Sequence, residues 1–245
     1  MMKNELLSKT LAQIVNENHQ AASVFEKYGL DFCCRGKRSL QKACEENQLS
    51  EQTIVAEVED AMNQQNSSLK EFDKLSLTEL VDYIVSVHHV YTKRELQQIS
   101  GYLQKLSSKH GERHKELYAV LESFMQLKDE LELHMQKEEL ILFPGIKRLE
   151  TGGLKEKNIQ TPIDVMESDH EYAGNLLEKI RGYTNNYTLP EDACTTYRLS
   201  FVALQAFEKD LHQHIHLENN ILFPKALELS DFYGAGSKNN VQYLQ

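Results

Sequence analysis

The chain has 245 residues, 40% of them hydrophobic, with no tryptophan, 11 glycines and four prolines; it is long enough to bury a sizeable core, and its composition is that of an all-α protein. The formal net charge of −10, from 27 Lys and Arg against 37 Asp and Glu, speaks against nucleic acid or an anionic membrane as partner, because no basic stripe offsets the acidic excess. Four cysteines, two of them adjacent, are no secreted disulfide framework, the first residues lack the apolar core of a signal peptide, and no apolar run approaches membrane-spanning length, so a reduced cytoplasm is the expected setting.

Residues 4–28 carry helical periodicity, with Leu7, Leu11, Ile14 and Val15 on one side, then Ala22, Val24 and Phe25. A glycine-bounded turn follows, holding Asp31-Phe32-Cys33-Cys34-Arg35-Gly36. Ser39 predicts the N-cap of a second helix, and a third starts near Ser50 with Ile54, Val55 and Val58 inward. These segments make a small helical unit over 1–60. The stretch 61–75, with its polar run Asn63 to Ser68, reads as a linker. Four long periodic segments then cover 76–108, 113–148, 162–183 and 190–229, the last two opening at Pro162 and Pro190. Short connections between them predict an up-down four-helix bundle over 76–230. The tail 231–245, with Gly234 and Gly236, is expected to be loosely ordered.

One pattern occurs twice. His134 and Glu138 are followed by Ile141-Leu142-Phe143-Pro144, and His214 and Glu218 by Ile221-Leu222-Phe223-Pro224. Both read H-x3-E-x2-I-L-F-P. Residues four apart share a helix face, so each copy aims one imidazole and one carboxylate in the same direction. A single such pair is ordinarily a surface pair. Its recurrence in one frame points instead to a metal site in the bundle core.

Helix arithmetic sorts the ten histidines. His134 lies about 20 residues, roughly 30 Å, from the turn between the first two bundle helices. His88 and His89 lie level with it across that turn, and periodicity alone does not choose between them. His110 and His114 sit at the turn itself and are excluded. His170 is the one histidine of the third bundle helix. His214 has the glutamate four residues on, so His212 and His216 are expected at the surface, as is His19. Imidazoles and carboxylates in such a mixture suit iron or manganese better than zinc or calcium, with each glutamate bridging two ions. Glu130, Asp210, Asp169 and Glu167 are either carboxylates that orient the imidazoles or parts of a solvated acidic face.

The duplicated motif resembles the hemerythrin-like family, whose members carry a non-haem di-iron centre. Asp31 to Gly36 resembles the paired-cysteine signature of the N-terminal domain in the iron–sulfur cluster repair di-iron proteins, the RIC or ScdA-like group. The resemblance runs over nearly the whole chain, and it departs only lightly, at Arg35 and Gln97. It implies a small Cys-Cys helical domain followed by a hemerythrin-like bundle. It also resolves the tie on the first bundle helix, because the family's histidine falls seven residues before Leu96. The implied set is His89, His134, His170 and His214 with Glu138 and Glu218, around two non-haem iron ions. The implied role is repair of iron–sulfur clusters damaged by oxidative or nitrosative stress, by donation of iron. Implied partners are the damaged cluster proteins, small diatomics such as NO or O2, and a second copy in a homodimer. The same ligands would also serve a di-iron nitric-oxide or peroxide reductase, or an oxygen- or iron-sensing module. Only the repair reading accounts for the attached cysteine domain.

Adjacent cysteine side chains point apart in most backbone conformations, so a Cys33–Cys34 disulfide would be strained. Arg35, Lys37 and Arg38 are expected to favour the thiolates, which suits transient thiol chemistry or iron hand-off. Simple packing is the competing reading, and it is the one expected for Cys44 and Cys194.

Overall fold

The computed structural model describes residues 2–63, 72–152 and 159–239. Among these the chain is all-α, its only strand-like pairing being an isolated antiparallel bridge between Thr10 and Ser39. Contacts divide it into two compact units: Met1–Ser76 with His212–Lys225, and Leu77–Leu211 with Ala226–Gln245. Among the described residues no helix is long and apolar enough to cross a membrane.

In the first unit the single helix expected over 4–28 is three: α1 (Met2–Ser8), α2 (Leu11–Glu17) and α3 (Gln20–Tyr28). Local hydrogen bonds cut it. Thr10 is extended and its hydroxyl accepts the Gln13 N–H, while the Gln13 side chain accepts the Thr10 N–H, a reciprocal cap that starts α2. The Asn18 carbonyl side chain accepts the Gln20 N–H at 2.9 Å and starts α3. Gly29, at φ 64°, closes that helix in a conformation other residues rarely adopt. Helix α4 (Leu40–Glu46) is capped by the Ser39 hydroxyl as expected, and α5 (Glu51–Asn63) begins where Ser50 accepts the Thr53 N–H. Ile14, Phe25, Leu40, Ile54 and Val58 are fully buried and form the core of this unit. The expected linker run falls mostly on 64–71, outside the described residues; Phe72–Lys74 is a single 3₁₀ turn.

The second unit holds α6 (Leu77–Tyr83), α7 (Val90–His110), α8 (Glu116–Lys137), α9 (Phe143–Glu150) and α10 (Gln160–Tyr183). Helix α11 (Thr195–Leu217) belongs to this unit through Leu211 and enters the first at His212; α12 (Phe223–Asn239) returns at Ala226. Helix α8 packs against both α7 and α10, and Phe124 of α8 meets Phe207 of α11 edge-on at 5.8 Å. Burying one such ring is worth about 2–3 kcal/mol before packing terms.

Three of the long helices expected from periodicity are not continuous α-helix. Wider π turns interrupt them at Ile84–His89, Glu138–Leu142 and Glu218–Leu222. In the last two, the Phe143 and Phe223 N–H groups reach back five residues, to the Glu138 and Glu218 carbonyls. The cause is the proline that ends each motif. Pro144 and Pro224 have no N–H to give, and their rings would strike the carbonyl four residues back, so the ladder opens one residue early. In the first π turn the Ser86 hydroxyl takes the Asp82 carbonyl at 2.6 Å, competing with the backbone there.

Two boundaries differ from expectation. The last bundle helix starts at Thr195 rather than 190, because Asn185, Asn186 and Tyr187 all adopt positive φ and the Pro190 carbonyl accepts the Ala193 N–H inside a turn. The expected loose tail from 231 is helical to Asn239, since a glycine costs a formed helix only about 1 kcal/mol. Residues 240–245 lie outside the described chain.

Candidate metal centre

In the second unit, the π turns and the ends of the neighbouring helices bring one carboxylate and three imidazoles together. His89 closes the first π turn, His134 sits in the last turn of α8, Glu138 opens the second π turn and His170 lies in mid-α10. All four are at most 1% exposed. The Glu138 carboxylate lies 3.3 Å from His134 Nε2 through one oxygen and 3.4 Å from His89 Nε2 through the other. His170 Nε2 is 3.0 Å from His134 Nε2. His134, Glu138 and His170 each offer a donor atom within 4.8 Å of the other two.

The far sides of these rings are held by a second layer of charge. Glu139 faces His89 Nδ1 at 2.7 Å and is itself held by Lys93 at 2.6 Å. Asp169 faces His134 Nδ1 at 3.3 Å and is held by Lys137 at 2.9 Å. A carboxylate on Nδ1 keeps the proton there and leaves the Nε2 lone pair aimed at the Glu138 side. The His134 hydrogen bond, together with Lys137, outweighs burial and lowers Asp169 to about 2. Burial pushes Glu139 up, but the Lys93 and His89 hydrogen bonds leave it below the usual carboxylate range. Both orienting groups are therefore anions at neutral pH. Of the four acidic residues considered from sequence, Asp169 takes this part at His134, and Glu139 takes it at His89. Asp210 instead binds His88 Nδ1 through both oxygens, each at 3.2 Å. The pair His88 and His89, which periodicity could not separate, thus divides: His89 faces Glu138 and His88 faces Asp210.

The donor set fits a hard-to-borderline cation. A carboxylate excluded from water costs several kcal/mol unless positive charge lies close. A divalent ion between Glu138 and the imidazole nitrogens would supply that charge, and nitrogen with oxygen donors suits iron.

In the first unit, His214 at the end of α11 and Glu218 at the start of the third π turn are also buried, at 1% and 0% exposed, with His214 Nε2 3.0 Å from the Glu218 carboxylate. Their neighbours overturn one expectation. His216 is not at the surface but 1% exposed, its Nε2 2.9 Å from the Asn16 side-chain oxygen. Burial pushes its pKa down to about 4. His212, also expected at the surface, is partly buried against Glu26 at 2.7 Å. Asn220 donates to the Cys33 carbonyl at 3.0 Å, and Asn219 to the same carbonyl at 3.4 Å. The second copy of the motif thus differs from the first where it carries these contacts. Asn220 stands in the frame where the first copy has Leu140, which is 75% exposed.

The cysteine turn also departs from expectation. The Cys33 and Cys34 sulfurs lie 3.6 Å apart rather than pointing away from each other. The backbone N–H groups of Cys33, Cys34 and Arg35 all donate to one Asp31 oxygen, which curls the turn. The basic residues do not make Cys33 a thiolate. Its hydrogen bond with Cys34, its burial and the Asp31 charge push the thiol well above its usual range. Arg38, for its part, pairs with Glu46.

His110 ends α7 with its Nε2 3.2 Å from Cys194 Sγ. Helix α7 is unbroken between Val90 and His110, so Gly101 does not fold it back. Cys44 is fully buried, as a packing residue would be.

Known families match the chain in two stretches. The family described as Hemerythrin HHE cation binding domain matches residues 80–226, and one described as Domain of Unknown function (DUF542) matches residues 7–62. The Iron-sulfur cluster repair protein ScdA of Staphylococcus haemolyticus (strain JCSC1435) is 33% identical over 230 residues, 92% of this chain and 99% of its own. The Iron-sulfur cluster repair protein YtfE of Escherichia coli O157:H7 is 36% identical over 208 residues, 85% of this chain and 91% of its own. A YtfE of Enterobacter sp. (strain 638) is 36% identical over 217 residues, covering 89% and 96%.

Proposed function

Because the chain belongs to the family of iron–sulfur cluster repair proteins built on a hemerythrin HHE cation binding domain, we propose that it repairs damaged iron–sulfur clusters by donating iron from a di-iron centre. The ligands in this reading are His89, His134, His170 and His214 with Glu138 and Glu218. What supports it is the pair of motif copies: His134, Glu138 and His170 offer donor atoms within 4.8 Å of one another in the second unit, and His214 pairs with Glu218 at 3.0 Å in the first. In this reading both carboxylates bridge two ions. Bound there, iron is the cargo, and the protein's own part is to hold the imidazoles in one tautomer and keep water from the carboxylates. Cys33 and Cys34 act as thiols in the hand-off. A cytoplasmic setting, a homodimeric state, acceptor proteins with damaged clusters, and access of NO or O2 to the iron belong to the same reading.

The test is metal content. Purified protein should hold about two irons per chain, and Glu138→Leu and Glu218→Leu should each lose much of it, since each removes an oxygen donor from both ions. Full iron retention in both variants would overturn the bridging roles. Iron transfer to a protein with a damaged cluster should then accompany restored acceptor activity. Multiple-turnover consumption of NO with added reductant, without such restoration, would favour a reductase.

A further inference from the structure

The cysteine turn carries a second cluster of metal-binding chemistry. One Asp31 oxygen, Cys33 Sγ and Cys34 Sγ lie within 4.8 Å of one another. The sulfurs are 3.6 Å apart, and Asp31 Oδ1 is 3.3 Å from Cys33 Sγ. Around a tetrahedral ion with sulfur at about 2.3 Å and oxygen at about 2.0 Å, two sulfurs stand about 3.8 Å apart and a sulfur–oxygen pair about 3.5 Å. Two edges of one face of such a tetrahedron are therefore already close to length, and the third lies within 4.8 Å. Cys33 is buried whereas Cys34 and Asp31 are half-buried, so the cluster opens to solvent on one side. That is the arrangement of a site that loads and unloads, with a fourth position for water or an incoming ligand.

The turn is also anchored. The Cys33 carbonyl takes hydrogen bonds from Asn219 and Asn220, and the Phe32 carbonyl takes one from Asn220 at 3.4 Å. Those asparagines are the two residues that follow Glu218. Gly36 completes the fit: a Cβ there would lie 2.2 Å from the Phe32 carbonyl oxygen, so the turn closes only around a glycine.

We propose that Asp31, Cys33 and Cys34 form a second, exchangeable metal site for a thiophilic transition-metal ion of the ferrous class, anchored through Asn219 and Asn220 to the segment that carries Glu218. The assignment of iron as its cargo rests on the repair reading above; the site itself does not. Its chemistry is simple ligand exchange. The ion displaces the thiol protons to solvent, forms bonds to two sulfurs and one carboxylate oxygen, and leaves without any change of oxidation state.

The experiment uses the full, reduced chain and cobalt(II) as the probe, because thiolate ligation gives cobalt an intense charge-transfer band that imidazole and carboxylate ligands do not. The parent should show this band with one equivalent of cobalt. The Cys33→Ser, Cys34→Ser double variant should lose the band while its bundle keeps the parent's iron content. Asp31→Asn should keep the band but bind cobalt at least tenfold more weakly. Absence of the band in the parent, or its survival in the double variant, where Cys44 and Cys194 remain, would overturn the site. Iron measured in the same samples separates the two readings. A thiolate band in a chain that holds no bundle iron would leave this site standing and remove the di-iron centre.

Discussion

At the scale of single residues, the chemistry depends on which face each histidine presents, and two neighbours on one helix turn can do opposite jobs. His216 shows how far burial alone can move a side chain. Its imidazole stays neutral in the folded chain until about pH 4, whereas in the unfolded chain it takes a proton near 6.5. Protons therefore favour the unfolded state between those values. The stability tied to neutral His216 is complete above pH ~6.5 and lost as the pH falls towards 4, a loss on the order of 3 kcal/mol at most. Replacing it with Gln, which keeps a polar end near Asn16 but cannot titrate, should flatten the fall in unfolding free energy between pH 7 and 4.5. Denaturant titrations at a series of pH values would read this directly. An unchanged slope in His216→Gln would assign the acid sensitivity to other groups.

At the scale of elements, helix continuity separates histidines that sequence places close to one another in kind. Helix α7 carries His110 twenty-one residues beyond His89, about 31 Å at 1.5 Å per residue, with no break between Val90 and His110. His110→Ala should therefore retain the parent's iron, whereas His89→Ala, which strips a nitrogen from beside Glu138, should lose a large part of it. Colorimetric iron assay on folded, purified variants decides between them; iron loss in His110→Ala would mean the helix does not hold its length in solution. The π turns matter on this scale too. Each carries a buried histidine or glutamate, His89, Glu138 or Glu218, and each locally trades a regular backbone ladder for side-chain placement.

At the scale of the molecule, the segment His212–Lys225 is shared property. It holds His214 and Glu218, yet it packs with Met1–Ser76. Its contacts there include His212 with Glu26, His216 with Asn16, and Asn220 with the Cys33 carbonyl. A fragment beginning at Leu77 should melt lower than the full chain and hold less iron, since each lost hydrogen bond is worth about 1 kcal/mol and the buried His216 would lose its contacts with Asn16 and Phe32. Thermal melts and iron content of the two proteins side by side would test it. A fragment as stable and as iron-loaded as the parent would show that the segment needs nothing from the N-terminal unit.

Much of this was determined by the sequence alone. The all-α class followed from composition and periodicity, and the pairing of His134 with Glu138 from a four-residue spacing that any helix converts into one face. Such features are local, and local geometry follows from nearest neighbours in the chain. Other features were decided only by tertiary structure. Whether His88 or His89 faces Glu138 depends on a π turn, for which Ser86 is at best a faint signal. Pro144 and Pro224 were the visible signs of the other two. That Glu139 and Asp169 orient the imidazoles, that His216 is buried, and that Cys33 and Cys34 point together beside Asp31 could not be read from spacing. Each depends on residues far apart in sequence or on the exact curl of a turn, and periodicity carries no information about which surface a face will meet.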